Sequence, residues 1–344
     1  MKRMPSRSEP RARPSTTAGR QTWMDVLRGV AIILLLVWHA PAIPALIGVE
    51  MPEWVRVANA ALLPFRMPTL MFLSGLLLPR SLAKPLPAYY SGKLRLIAWP
   101  YFLWAALHLV LYGGRPMYEP QAWLATGYLW FLFYLLGYYL AAPLFRRLPS
   151  WVPLLLAIIG AFAFDHWLLH RFAYFGVFFF AGYVLVPHLP RIMAYTRRPW
   201  AIAVIGCIGV GVAAYSAVAG VQYVSAAAPL VIVGILGLAQ LATLAAGHPW
   251  SRPLQFVGRT SIVYYVVHFP VMLLVARGMV GIGITDWLPV AAATLASALV
   301  VCTVLARYRH AVPVEYLFEA PTFRRRSAAR RVVPASAAER GNST

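Results

Sequence analysis

The chain has 344 residues, of which 60% are hydrophobic and only 12% are charged, and its formal net charge is +21. With a mean hydropathy of +0.66, this composition excludes the soluble globular class and is typical of a polytopic membrane protein. Both cysteines, Cys207 and Cys302, lie within apolar runs, so the sequence gives no support for a disulfide framework or a cysteine metal site.

Ten apolar runs are candidates for membrane-spanning helices, and most have the length of roughly 17–25 residues that a bilayer requires. They cover residues 26–47, 58–78, 94–112, 122–142, 151–169, 172–186, 200–219, 223–246, 261–280 and 287–306. The sixth run is the shortest, so we expect neighbouring helices to bury it. The sequence therefore predicts an all-α polytopic bundle over residues 23–310, between a disordered basic tail at 1–22 and a basic tail at 311–344.

The basic residues indicate how the bundle is oriented. Most of the 31 Lys and Arg lie in the two tails and in every second loop, and the positive-inside rule then places both termini in the cytoplasm. This topology accounts for the net charge, and no nucleic-acid partner is expected. The tails are instead suited to resting on anionic lipid.

The first apolar run contains two ionisable residues, Arg28 and His39. An ionisable side chain inside a span is costly and marks a functional site by default. Eleven residues of helix advance about 16 Å and leave the two side chains roughly 20° apart on one face. One stripe of the first span therefore carries a cation at its cytoplasmic mouth and an imidazole near mid-bilayer.

The second span contributes a further buried charge, Arg66, between Pro64 and Pro68. Counted along the helices, Arg66 lies about 12 Å below the outer boundary and His39 about 20 Å above the inner one, which are nearly the same depth. We therefore expect both side chains to line one cavity, where the prolines interrupt helical hydrogen bonds. The alternative is that Arg66 snorkels outward or forms a structural pair.

Four ordered motifs resemble those of the membrane-bound acyltransferase-3 family, from about residue 23 to residue 310. They are Asp25-x-x-Arg28-Gly29-x-Ala31 with His39 eleven residues after Arg28, Phe72-Leu73-Ser74-Gly75, Trp130-Phe131-Leu132, and the run from Ser261 to His268-Phe269-Pro270. The amino-acid sequence of the second span is most similar to a little-characterised branch of this family, one that lacks an appended extracytoplasmic domain. The resemblance implies a multi-pass enzyme of the cell (inner or plasma) membrane. It would transfer an acyl group, commonly acetyl from acetyl-CoA, to a hydroxyl of a cell-envelope glycan or lipid-linked sugar.

This chemistry assigns roles to the candidate residues. Neutral imidazole is suited to general-base catalysis, so His39 is the predicted base, and Arg66 is placed to stabilise the developing oxyanion. Arg28 at the cytoplasmic mouth is predicted to bind the phosphates of the acyl-CoA. A positive-inside anchor is the alternative for Arg28, and a structurally bonded histidine is the alternative for His39.

Lys93, Arg95 and His268 complete the predicted donor site. Many family members carry Arg-x-x-Arg before the third span, whereas this chain has Lys93-x-Arg95. These two residues point to different helix faces, which puts a two-armed phosphate clamp in doubt. His268, counted as about 10 Å from the cytoplasmic face, either orients the donor or has a structural role.

No metal site and no permanently bound cofactor is predicted, and acyl-CoA is expected as a co-substrate. Two other classes of protein stay open on these residues. A transporter or flippase for a lipid-linked sugar would use Arg66 and His39 as substrate or proton sites. A non-catalytic membrane subunit would need no donor site, and Arg28 and Arg95 would then be dispensable.

Overall fold

A computed structural model of the protein describes residues 21–219 and 223–321. Nearly all of the predicted N-terminal tail and most of the predicted C-terminal tail lie outside these ranges. Within them the secondary structure is helical and contains no strand, which confirms the predicted all-α fold.

The α-helices are numbered in chain order. They are α1 (Thr22–Ala45), α2 (Glu53–Leu76), α3 (Leu78–Leu82), α4 (Leu86–Lys93), α5 (Trp99–Tyr112), α6 (Trp130–Ala141), α7 (Trp151–Ala163), α8 (Trp167–Leu185), α9 (Leu189–Tyr195), α10 (Pro199–Ala219), α11 (Ala228–Ala245), α12 (Arg252–Arg259), α13 (Ser261–Gly281) and α14 (Trp287–Arg307).

Eight helical segments of the described chain are long and apolar enough to cross a membrane, so the protein is a multi-pass membrane protein. The other two predicted spans correspond to α2 and α7. Helix α2 has 24 residues, but Asn59, Arg66 and two prolines lower its hydropathy. Helix α7 is apolar but has only 13 residues. The count of ten is therefore approximate.

The structure reverses the lengths predicted for the fifth and sixth spans. Helix α7 ends at Ala163 because the backbone is extended at Phe164, where the polar pair Asp165-His166 follows. Helix α8 then extends over 19 residues, several more than the run 172–186 predicted. Its phenylalanines are enclosed by neighbouring helices, as expected, with Phe175 and Phe179 fully buried.

Proline residues inside the spans leave carbonyl oxygens without their helical donor, and hydroxyls from other helices bond to them. Pro44 in α1 frees the carbonyl of Ala40, which accepts a hydrogen bond from Thr294 of α14 at 3.0 Å. Pro64 in α2 frees the carbonyl of Ala60, which accepts one from Ser216 of α10 at 2.6 Å. The interruption of helical hydrogen bonding predicted at Pro64 is therefore confirmed, and α2 is continuous there because a neighbouring helix supplies the missing donor.

Two glycine contacts let helices approach until their backbones touch. A Cβ added to Gly258 in α12 would lie 1.9 Å from the Asp25 carbonyl oxygen of α1. A Cβ added to Gly75 in α2 would lie 1.8 Å from the Phe179 carbonyl oxygen of α8. Small residues at such crossings are typical of membrane helix packing. Gly75 and Gly258 therefore permit backbone contact at these two crossings.

The chain that follows α14 packs against α5. The Trp99 indole donates to the Tyr316 carbonyl at 2.7 Å, and the Trp104 indole donates to the Leu317 carbonyl at 2.9 Å. Phe318 stacks on Trp104 with ring centroids 6.2 Å apart. The first residues of the predicted C-terminal tail are thus part of the folded bundle.

Candidate functional site

Two histidines meet in the middle of the bundle. His39 of α1 and His268 of α13 have ring centroids 4.9 Å apart. The side chain of His268 is fully buried, whereas His39 retains intermediate exposure. His39 is therefore the member of the pair that a molecule entering the bundle can reach.

The hydrogen bonds of the two imidazoles determine which ring nitrogen is basic. Nδ1 of His39 lies 3.0 Å from the Leu35 carbonyl oxygen, and Nδ1 of His268 lies 2.9 Å from the Tyr264 carbonyl oxygen. A carbonyl only accepts, so in the neutral ring Nδ1 carries the hydrogen and Nε2 keeps its lone pair. Nε2 of His268 is buried and has no hydrogen-bond partner.

The meeting of His39 and His268 corrects the depths that were counted along the sequence. The count placed His268 about 10 Å nearer the cytoplasmic face than His39. It began at Ser261, the first residue of an apolar run. Helix α12 carries the chain past the start of α1, so Ser261 lies beside Arg28 and Ile32 in one cavity. Counted from Ile32 and Ser261, His39 and His268 lie the same distance along α1 and α13.

Arg66 of α2 lies near Trp38, the residue that precedes His39 in α1. Its side chain is only 5% exposed, and its guanidinium carbon lies 5.8 Å from the ring centroid of Trp38. A cation–π contact of this kind holds the guanidinium in the apolar interior. That Arg66 and His39 line one cavity stays a prediction.

Arg28 connects two cavities at the end of the bundle where α1 begins. The mouth cavity, of about 310 Å³, is lined by Asp25, Arg28 and Arg80. The inner cavity, of about 180 Å³, extends from Arg28 to Ser261 and Tyr265. Because Tyr265 precedes His268 by less than one helical turn, the inner cavity leads from Arg28 towards the histidine pair.

The structure separates the two cations of the predicted phosphate clamp. Both lie on a helix and not in a loop, because π-helical residues Leu94–Ala98 join α4 to α5 without a break. The Lys93 ammonium lies 3.4 Å from the ring centroid of Tyr139 and donates to the hydroxyl of Ser81 at 3.2 Å, the residue after Arg80 of the mouth cavity. Arg95 points elsewhere and pairs with Glu319. Lys93 therefore belongs to the Arg28 side of the bundle and Arg95 does not.

Tyr264 and Ser261 share the helix face of His268 but do not place a hydroxyl on its ring. The Tyr264 hydroxyl is bonded to Thr303 of α14 at 2.7 Å, so it points away from the imidazole. Ser261 lines the inner cavity near Arg28. Tyr264 contacts His268 through its backbone carbonyl.

Aromatic side chains enclose the histidine pair on the far side from Arg28. Tyr128 and Phe269 stack with centroids 4.6 Å apart, and Tyr128 lies 5.5 Å from His268. The Tyr128 hydroxyl donates to the Val266 carbonyl at 2.6 Å, the oxygen that Pro270 leaves without a helical donor. Tyr128 thus supplies the hydrogen bond that Pro270 removes from α13.

His108 of α5 was missed by sequence reasoning. It contacts Phe269 at a centroid distance of 5.3 Å and Tyr128 at 5.5 Å. An isolated histidine in an apolar helix is itself a signal of function, and this signal was available in the sequence. No group of three or more potential metal-ligating side chains occurs within the described residues.

Comparisons with known proteins agree with this arrangement. A family model described as an acyltransferase domain, the acyltransferase-3 model, matches residues 21–307. No curated protein matches the chain. No solved structure matches it. The matched range contains the helices α1 to α14 in full, and with them both histidines and both cavities.

Proposed function

Because the chain belongs to the acyltransferase-3 family and is a membrane acyltransferase, we propose that it transfers an acetyl group from acetyl-CoA to a hydroxyl. The proposed acceptor is a cell-envelope glycan or lipid-linked sugar outside the cytoplasm, and the proposed location is the cell (inner or plasma) membrane. The observation that carries this proposal is the His39–His268 pair, together with a cavity that extends from Arg28 to Tyr265, three residues before His268.

The donor would enter at the Arg28 end of the bundle. Arg28 and Arg80 line the mouth cavity, and guanidinium groups bind phosphate oxygens with two parallel hydrogen bonds. Lys93 lies behind Tyr139 on the same side and adds a point charge. With the phosphates held at the mouth, the thioester arm of the CoA extends along the inner cavity towards His39.

His39 is the proposed general base. Its Nε2 keeps a lone pair because Nδ1 is bonded to the Leu35 carbonyl, and its intermediate exposure leaves it accessible. In the reaction Nε2 accepts the proton of the acceptor hydroxyl while the hydroxyl oxygen bonds to the acyl carbon. The carbon–sulfur bond then breaks, and the departing CoA thiolate takes the proton from His39. The products are the ester and free CoA.

Arg66 is proposed to stabilise the oxyanion that forms on the acyl carbonyl oxygen. A positive charge held in a site without water is worth more to a transition state than the same charge in solution. The contact of Arg66 with Trp38, which precedes His39 in α1, supports this role. His268 is proposed to position His39 through their ring contact.

The proposal is tested with purified protein in liposomes, radiolabelled acetyl-CoA and candidate glycans. Wild-type protein is expected to move label to a glycan, and His39→Ala is expected to lose about 10²–10⁴-fold in rate. His188→Ala removes an exposed histidine and serves as the control with unchanged rate. Equal acyl transfer by wild type and His39→Ala would refute the proposal.

A further inference from the structure

A further cavity opens at the opposite end of the bundle from Arg28. It has a volume of about 430 Å³, within the range of roughly 300–1,000 Å³ that is usual for small-molecule sites. We refer to it as the far cavity. The side chains that give it its chemistry are His108, Tyr112, Arg115, Gln121, Thr126 and Trp167.

The far cavity has an exposed rim and a buried floor. Arg115 and Gln121 at the rim are exposed, and the Arg115 guanidinium donates to the Gln121 amide oxygen at 2.8 Å. His108 and Thr126 at the floor are buried. A ligand can therefore enter from the far face and contact polar groups at both levels.

The backbone of the floor is shaped to hold His108. Gly127 has φ +47°, and a Cβ placed there would lie 2.3 Å from Nε2 of His108. Only glycine combines this left-handed backbone with the space that the imidazole needs. The His108 ring is also stacked on Tyr112, with centroids 5.3 Å apart.

The floor of the far cavity adjoins the histidine pair. His108 contacts Phe269 at 5.3 Å, and Phe269 contacts His39 at 6.4 Å. One layer of rings, Phe269 stacked on Tyr128, thus separates the cavity from the proposed base. The Tyr128 hydroxyl is fastened to the Val266 carbonyl, whereas Phe269 has no polar group to anchor it. Displacing the Phe269 ring would therefore break ring contacts but no side-chain hydrogen bond.

The lining matches the chemistry of a sugar. Aromatic rings of Tyr and Trp combine a flat apolar face with a polar group, and amide, guanidinium, hydroxyl and imidazole groups bond to hydroxyls. A lipid tail would instead meet polar groups that it cannot satisfy. The absence of acidic side chains from the lining leaves the ligand's hydroxyls to act mainly as acceptors.

We propose that the far cavity binds the sugar unit of the acceptor and that Phe269 closes the passage from this cavity to His39. This inference rests on the proposed acyl transfer, since it identifies where the acceptor of that reaction is held. A hydroxyl of the bound sugar reaches Nε2 of His39 when the Phe269 ring swings aside.

Cysteine labelling tests the cavity without any need to know the acceptor. Leu124 lines the cavity and is 45% exposed, so Leu124→Cys is an accessible reporter. Tyr118 is 85% exposed nearby but does not line the cavity, and Tyr118→Cys is the matched control. Both are made with Cys207→Ala, because Cys207 is exposed while Cys302 is buried.

Maleimide labelling is followed in the presence of methyl glycosides of glucose, galactose, mannose and N-acetylglucosamine at high concentration. At least one glycoside is expected to slow labelling of Leu124→Cys several-fold and to leave Tyr118→Cys unchanged. No protection by any glycoside, or equal protection at both positions, would overturn the proposal.

This test and the acyl-transfer test fail independently. Selective protection of Leu124→Cys together with full activity of His39→Ala would leave a sugar site and refute the mechanism. Loss of activity in His39→Ala without any protection would retain the mechanism and refute the far cavity as the acceptor site. Phe269→Ala separates the passage from the site, because it is expected to raise hydrolysis of acetyl-CoA by water while Leu124→Cys remains protected.

Discussion

The crossing of α1 and α12 gives a prediction whose size follows from the structure. Gly258→Ala places a methyl group where the Cβ would lie 1.9 Å from the Asp25 carbonyl oxygen, whereas ordinary contact begins at 3.4 Å. The backbones must therefore separate by about 1.5 Å, the difference between these distances. Because the obstacle is backbone, no change of rotamer relieves it.

The displacement should reach the active site because α12 leads directly into α13. Only Thr260 separates Arg259, the end of α12, from Ser261, the start of α13, and His268 lies two turns further on. A shift of about 1 Å at reacting groups can cost 10²-fold in rate. We expect Gly258→Ala to lower kcat for acetyl transfer about 100-fold and to cost about 1–3 kcal/mol of unfolding free energy, as overpacking typically does.

Gly278→Ala is the matched control on α13 itself. A Cβ at Gly278 would have nothing within 4 Å, so the substitution should leave kcat unchanged and stabilise the helix by up to about 1 kcal/mol. Thermal unfolding in detergent and the radiolabelled acetyl-transfer assay measure the two effects. Equal melting temperature and equal kcat for the two alanine variants would refute the reasoning.

Three further substitutions follow from the contacts described above. Arg28→Gln is expected to raise KM for acetyl-CoA by roughly 10–100-fold, the equivalent of a charged hydrogen bond of about 1.5–3 kcal/mol, and the exposed Arg146→Gln should not change it. Thr294→Val leaves the Ala40 carbonyl, which Pro44 frees, without its donor, and should lower the free energy of unfolding by about 1–3 kcal/mol in a thermal unfolding measurement. Thr243→Val is its control, because the Thr243 hydroxyl bonds to the Ala239 carbonyl of its own helix. Glu319→Gln removes the partly exposed ion pair with Arg95. It should lower the free energy of unfolding by less than about 1 kcal/mol and leave KM for acetyl-CoA unchanged. A change in that KM would assign Arg95 to the donor site.

The parts of the site that the sequence predicted are those that depend on helical geometry alone. Arg28 and His39 share one helix, and their shared stripe follows from its pitch. The burial of Arg66 followed from its place inside an apolar run of the second predicted span. The divergence of Lys93 and Arg95 followed from their spacing of two residues, and the structure gives them separate partners.

The parts that the sequence did not predict depend on how helices pack. The depth of His268 was wrong because the chain before Ser261 crosses α1 inside the bundle, and an apolar run does not reveal where its helix enters the membrane. The donor for the carbonyl freed by Pro64 was not predicted, for a similar reason. It is Ser216 of α10, more than a hundred residues away along the chain.

The central claim is that the donor enters at the Arg28 end and reacts at His39 with an acceptor from the other end. Its most direct test supplies acetyl-CoA to only one face of membrane vesicles with uniform protein orientation. Acetyl transfer is expected only when the donor is on the face that carries the tails, and it should be lost in His39→Ala. Transfer from the opposite face at an equal rate would contradict the claim.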